Sequence, residues 1–584
     1  MPVNLRNAKS SWRGRRSGVN SAPIMAKELL RCAGSLLCIW ALALSAAAQT
    51  PQQTAPAKAP QAPPLKVTTH LVQVNVIVQD KKGEPVTDLS KADFELTDQG
   101  KPQTISVFSE ETTHVIAAAA TPPPPNVFSN RIEQKAGVPT SVTVILVDAL
   151  NTHFTDMGFA RNQLVKFLQQ LQPQDRIALY GLTDRLIVLH DFTSDASALL
   201  AAFDKTRNKE TVQMSASDFD PSDTGDDVVD AFIDATNQHI SDFYTINRVE
   251  TTAWALGAIA NHLAALPGRK NLIWLSGAFP FYIGFESMDP NSTNENRMFS
   301  EEVERAARAL NDANVAVYPV DARGLIAVPA YSASTPNISA GRMARGRPIQ
   351  SLSPKPQNFD TMNILADRTG GRAYYNSNDI KGSIRRAIDD SRVTYVLGYY
   401  PDHGQWDGKF HEIKLKVKRP GVQVHYRRGY FAFGDQPVPD QKKRDELIRE
   451  AVNGPLDSTA LGLSVQADAV DVPGAQRLKA SITIDSKDIQ FNLNGDRWDG
   501  SVDVFYAERD ASGKVLVAEN KAINMNLTQP TYNSVTKNGL RMQWDIGING
   551  NAQTIRLIAR DATTGALGSV TIPLAKLYPS MGKN

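Results

Sequence analysis

SVTVILVDALNT, residues 141–152, decides the fold. Val142 to Val147 are apolar or β-branched and carry no charge; the run ends on Asp148, with Asn151 and Thr152 close behind. An unbroken run of this kind predicts a strand buried on both faces, as at the centre of a parallel sheet. Ligands of open α/β sheets bind at the carboxyl ends of such strands. Asp148, Asn151 and Thr152 stand at that end, although a strand that merely stops in a polar turn would read the same way.

Outward from this stretch, strand and helix patterns alternate. Phe159, Leu164, Phe167, Leu168 and Leu171 fall near one helix face, which Pro173-Gln174-Asp175 ends. Residues 177–182 form a strand, and Thr183-Asp184 turns it into another at 186–189. Thr193-Ser194-Asp195 is an N-cap cluster. Helices are predicted over 228–266, 301–313, 359–368 and 380–391. Strands are predicted over 271–276, 315–320, 372–375 and 393–400. The expected fold class is α/β: a doubly wound sheet with helices on both faces, over residues 139–432. A hairpin within 410–432 is expected to extend that sheet at its edge. Two inserts, 208–227 and 328–358, interrupt it. The first carries Asp218, Asp220, Asp223, Asp226 and Asp227. Read as a calcium loop from Asp218, it has Asp223 where the turn glycine belongs and Val229 where the bidentate Glu belongs, so a solvated loop is the default.

At 584 residues the chain is too long for one core. Residues 1–48 read as a signal peptide: Arg13, Arg15, Arg16, Lys27 and Arg31 precede the apolar run 32–44, and Ala46-Ala47-Ala48 offers small residues for cleavage. An uncleaved N-terminal anchor is the rival. Residues 49–64 and 113–138 read as linkers, the first built of Pro, Ala and Gln. Val72, Val74, Val76 and Val78 alternate in a small β domain, 65–112. A charged connector, 433–457, leads to a C-terminal β-sandwich of roughly seven strands, 458–580, where Leu540, Met542, Trp544, Ile546 and Ile548 alternate. Both β domains are expected to be immunoglobulin-like.

The formal charge of +2 misleads, because residues 1–48 hold seven Lys/Arg and one Glu. Without them 56 basic and 60 acidic residues remain, a net of −4, and a nucleic-acid surface is not indicated. Cys32 and Cys38, the two cysteines, lie in the same segment, so the mature chain would have no disulfide, thiol nucleophile or cysteine-bound zinc. It would also have no transmembrane span. The expected location is periplasmic, cell-surface or extracellular.

The middle of the chain resembles the von Willebrand factor type A (VWA) domain. The supporting stretches are LVQVNVIVQDKKGEPVTDL, ILVDALNT, NVAVYPVDARGL, LADRTGGRAYYN and YVLGYYPD, spread over residues 71–402. Together they resemble the VWFA-related family of acidobacterial secreted proteins. The resemblance implies a metal-ion-dependent adhesion site: Asp-x-Ser-x-Ser after the first strand, a Thr from a second loop, and an Asp from a third. Asp148 matches the first Asp, Thr152 stands at the second Ser, and Thr193 matches the Thr. Leu150 stands at the first Ser and Gly277 replaces the Asp, so two of five positions are lost. Asn151, His153 and Ser276 are further rim candidates, and the implied ion is Mg²⁺ or Mn²⁺. The residues leave three readings open: a degenerate metal site, a hydrogen-bonded loop junction built on Asp148, Thr152 and Thr193, or another use of the cleft.

No Gly-x-Ser-x-Gly elbow, HExxH or Walker A stretch occurs. His153 and His190 near strand ends read as loop hydrogen-bonders, and Asp321 as half of a local pair with Arg323. Trp406, Tyr426, Tyr430 and Phe431 read as sheet packing. The expectation is an exported, non-enzymatic adhesion-type module for an unidentified protein partner. The alternatives are a secreted hydrolase or carbohydrate binder using the inserts, and a structural part of an envelope assembly.

Overall fold

A computed structural model describes residues 71–112, 124, 126–131, 141–206, 211–217, 224–266, 268–277, 282–283, 297–298, 300–325, 359–402, 406–433, 441–472 and 475–578. The segment 1–48 read as a signal peptide, the first linker, the insert 328–358, and residues 208–210 and 218–223 of the insert 208–227 lie outside the described residues.

Strands β1 (Val72–Gln79), β2 (Phe94–Asp98), β3 (Lys101–Gln103), β4 (Ile105–Thr112) and β5 (Val127–Ser129) precede β6 (Ser141–Asp148). Next come α1 (Phe154–Leu168), β7 (Ile177–Leu182), β8 (Leu186–Thr193), α2 (Ala196–Asp204), α3 (Val212–Ser217), α4 (Asp227–Leu263) and β9 (Arg269–Ser276). The short pair β10 (Tyr282–Ile283) and β11 (Arg297–Met298) leads to α5 (Ser300–Asp312), β12 (Val315–Asp321), α6 (Phe359–Thr369) and α7 (Ile380–Asp389). The central sheet has the order β12-β9-β6-β7-β8. Its strands are parallel except β8, which runs antiparallel to β7.

The pleat of β6 explains its uniform hydrophobicity. Val142, Val144 and Leu146 pack with Val249, Leu256, Ile259 and Leu263 of α4, Val303 and Leu310 of α5, and Leu365 of α6. Ile145 and Val147 face the other way, against Leu164 and Phe167 of α1, Phe203 of α2, and Ile384 and Ile388 of α7. Each such side chain contributes about 1.5–3 kcal/mol on full burial, so both faces select apolar residues, with the β-branched Thr143 the one buried hydroxyl among them. The predicted two-sided sheet is present.

The boundaries of the sheet differ from the expectation. Residues 393–400 and the hairpin that follows do not belong to it. Strands β13 (Val393–Tyr399), β14 (Asp407–Val417), β15 (Gln423–Tyr426) and β16 (Gly429–Phe433) interleave with the N-terminal strands. They form sheets β15-β1-β13-β4 and β16-β14-β2-β3. Val74, Val76, Phe94, Leu96, Tyr395, Leu397, Ile413 and Leu415 share the core between them. The buried Asp98 carboxylate accepts from the hydroxyls of Tyr399 (2.8 Å) and Tyr430 (2.9 Å), tying one sheet to the other. The strand expected over 372–375 is reduced to one bridge, Tyr374 to Val320.

The C-terminal part begins with α8 (Gln441–Asn453) and contains β17 (Leu463–Val472), β18 (Ala475–Ile484), β19 (Asn492–Asn494), β20 (Arg497–Arg509), β21 (Val515–Thr528), α9 (Gln529–Asn538), β22 (Leu540–Ile548), β23 (Thr554–Asp561) and β24 (Leu567–Pro573). Its sheets are β22-β18-β17-β5 and β19-β20-β23-β24, with β21 on β20. Here too a segment read as linker contributes: β5 pairs with β17, and Asn130 Nδ2 donates to the carbonyls of Ser458 (2.7 Å) and Leu461 (2.9 Å).

Residues 65–112 therefore supply half of a core whose other half lies some 300 residues away in sequence. A peptide of residues 65–112 alone is expected to give the narrow amide dispersion of an unfolded chain by NMR, because it exposes Val74, Val76, Phe94 and Leu96 without their partners. A dispersed, cooperatively melting spectrum would contradict this pairing.

Candidate functional site

β6 delivers Asp148 to the carboxyl edge of the sheet, opposite Leu182, the last residue of β7. β9 ends beside it at Ser276-Gly277. The Asp148 side chain is fully buried. Its Oδ1 accepts from the Asn151 backbone N–H (3.0 Å) and from Asn151 Nδ2 (3.2 Å). Its Oδ2 accepts from Asn151 Nδ2 (2.9 Å), Trp274 Nε1 (2.9 Å) and Ser276 Oγ (2.8 Å). Asn151 Nδ2 also donates to Thr252 Oγ1 (2.8 Å), so α4 joins the cluster from 101 residues away. Burial pushes the Asp148 carboxyl above the usual carboxylate range, and the donors from Asn151, Ser276 and Trp274 oppose that push.

Thr152 closes the junction. Its hydroxyl donates to the Asp148 carbonyl (2.5 Å) and accepts from the Gly277 backbone N–H (2.7 Å). A Cβ on Gly277 would lie 3.2 Å from Asn151 O and from the Thr152 Cα, so the β9 end rests directly against the turn after β6. A longer side chain at 277 would have to open that contact. Leu150, standing where an oxygen ligand was expected, is fully buried in the apolar cluster on the α4 side of the sheet.

Thr193 is not part of this site. β8 is the return strand of a hairpin, so it ends where β7 begins, and Thr193 pairs with Ile177. Ile177 and Leu182 lie at opposite ends of β7, which puts Thr193 roughly 17 Å along the strand from the Asp148 edge. Its Oγ1 accepts from the Asp195 N–H (3.0 Å) in the turn that starts α2. The expected trio of Asp148, Thr152 and Thr193 is thus corrected to Asp148, Asn151 and Thr152 with Trp274, Ser276, Gly277 and Thr252.

These residues do not fit the divalent ion that the resemblance implies. Both Asp148 oxygens are saturated by donors, and the Thr152 oxygen is engaged on both sides. The one oxygen left over is Asn151 Oδ1, which no donor reaches. A hard cation needs about six oxygens, and one neutral amide oxygen does not supply them. Among the described residues no group of three or more His, Cys, Asp or Glu is placed to hold a metal. In the acidic insert, Asp218, Asp220 and Asp223 lie outside the described residues, and Asp226 caps α4 by accepting from Val228 N (2.9 Å) and Val229 N (3.3 Å).

The histidines near the strand ends do not reach Asp148, whose donors are Asn151, Trp274 and Ser276. His153 is the N-cap residue of α1. His190 sits inside β8, opposite Leu179, with Nδ1 2.6 Å from the Asp191 carbonyl. Asp321 forms the expected pair with Arg323, at 2.9 and 3.0 Å. Trp274 and Thr252 were missed in the sequence, since each reads as an ordinary core position of its strand or helix.

Asp148→Ala strands the Trp274 N–H, the Ser276 hydroxyl and the Asn151 amide in a dry interior. A loss of about 3 kcal/mol is expected in denaturant unfolding. Thr193→Ala is expected to cost under about 1 kcal/mol and to add to it independently. Strong coupling between the two would contradict their separation. The raised folded-state pKa means that the protonated carboxyl favours the fold, a contribution lost as pH rises through the folded value. Wild type should therefore lose stability relative to Asp148→Asn over that rise.

No family model matches the chain, and neither does any curated protein. Among solved structures, it is similar to a von Willebrand factor type A protein from Catenulispora acidiphila, at 9% identity over 56% of this chain and 74% of that one, with a TM-score of 0.24. It is also similar to the SpRpn10 VWA domain, at 10% identity over 43% and 96% with a TM-score of 0.22. A third is BatB from Bacteroides thetaiotaomicron, at 12% identity over 43% and 98% with a TM-score of 0.21. At these scores the likenesses carry no weight for fold or function.

Proposed function

We propose that this chain is an exported, non-enzymatic protein-binding module of VWA-like architecture that engages its partner without a metal ion. The order β12-β9-β6-β7-β8, with helices on both faces, supports the doubly wound α/β part of this reading. The two β parts act as spacers, and their immunoglobulin-like character belongs to the same proposal.

One observation carries the metal-free reading: at the carboxyl edge the Asp148 cluster is turned inward, while two large apolar side chains are turned outward. Asp148, Asn151, Thr152 and Ser276 are buried and bonded to one another. Around them Phe154 at the start of α1 is 51% exposed and Leu325 after β12 is 61% exposed. The two belong to one rim. Asp156, in the first turn of α1, feels the charges of Arg323 and Asp321. A Cβ on Gly324 would lie 3.2 Å from Phe159 of α1, and Leu325 N donates to Asn378 Oδ1 (2.9 Å). A rim of this kind meets a partner by desolvating apolar surface.

Affinity capture from the envelope fraction of the source organism, with the full chain as bait, tests this. The expectation is a partner that survives chelator and is weakened at least about tenfold by Leu325→Asp or Phe154→Asp. Capture abolished by chelator would restore the metal. Turnover of ester, peptide or glycan substrates that disappears with Asp148→Ala would make the chain an enzyme.

A further inference from the structure

α4 is two helices in function. Its C-terminal half, from Val249 to Leu263, packs into the core under β6. Its N-terminal half is inside out. Asp230, Ser241, Asp242 and Thr245 are buried, while Val228 (79%), Val229 (44%), Phe232 (73%), Ile240 (45%) and Phe243 (63%) face solvent. On the buried polar side Asp230 accepts from Thr224 N and Oγ1, each at 2.7 Å, and Asp242 Oδ1 accepts from Gln238 Nε2 at 2.7 Å. The exposed apolar side has no such compensation, which is the reverse of a surface helix in a monomer.

The exposed residues share one helix face. Val229, Phe232, Thr236, His239 and Phe243 are spaced 3, 4, 3 and 4, three of them apolar, and Val228 and Ile240 flank this row. The stripe is about 22 Å long. It is also self-complementary about Thr236. Two antiparallel copies crossing there would place the small Thr236 pair at closest approach, Val229 against Phe243, and Phe232 against Ile240. We propose that this stripe is a two-fold interface with a second copy of this chain.

The area suffices for that occupant. The five exposed apolar side chains present roughly 500 Å² per copy, so pairing removes roughly 1,000 Å² in total, the lower end of specific interfaces. Charge disfavours an anionic lipid surface: residues 227–247 contain no Lys or Arg, and Asp226 and Asp227 head the helix. The interface lies on a different helix from the carboxyl-edge rim and does not depend on the partner-binding reading.

Sedimentation equilibrium of the full chain over about 1–100 μM, the span of weak interfaces of this size, tests it. The expected result is a mass that doubles with concentration, and a constant monomer mass for Phe232→Glu/Phe243→Glu with an unchanged far-UV spectrum. With Cys32 and Cys38 replaced by Ser, Thr236→Cys should form a disulfide-linked dimer on mild oxidation, whereas Ser534→Cys, on α9, should not. A monomer throughout, or a dimer unaffected by the double substitution and uncrosslinked through position 236, overturns the proposal.

Discussion

The Asp148 carboxylate, taken out of water at the end of a buried strand, is the constraint on which this architecture turns. A charge in that position is tolerated only if donors replace its hydration. They come from two elements: Asn151 from the turn after β6, and Trp274 and Ser276 from β9. Asn151 then passes the link on to Thr252 of α4. The carboxylate thereby fixes two parallel strands, the turn into α1 and the long helix α4 at one edge. The core beneath explains why the sheet forms, and this polar knot explains why its edge has one arrangement.

That knot separates this edge from the chemistry of an open adhesion site. The positions that would make an adhesion site are three loops meeting at an open cation. Here one is a leucine in the core, one a glycine pressed against the next loop, and one a threonine at the far edge of the sheet. With the oxygens turned inward, what remains outside is a rim carrying Phe154 and Leu325. Under the proposed binding role, recognition on such a surface follows from desolvation and shape, and a partner need not offer a carboxylate.

Much of this was legible in the sequence, and the failures are instructive. The uninterrupted Val142–Val147 run announced a doubly covered strand, and the helix periodicities that followed placed α1, α4 and α5 within a few residues. Val393–Tyr399 misled because β13 is also central and covered on both faces. Hydrophobicity reports burial and not which sheet does the burying. β5 was invisible because three residues, Val127–Ser129, between proline-rich and polar stretches carry no period. Thr193 could have been placed correctly: a strand returning from the tight turn at Thr183-Asp184 must end at the edge where its partner began. Thr252 had no local signal, since its role exists only once α4 lies across β6.

The most direct test of the central claim is isothermal titration of the purified full chain with Mg²⁺ and Mn²⁺. If the Asp148 cluster is a closed hydrogen-bonded junction, millimolar ion produces only heats of dilution, in wild type and Asp148→Asn alike. Saturable binding in wild type that Asp148→Asn abolishes would show that the carboxylate is a ligand and that the junction described above opens to admit a cation.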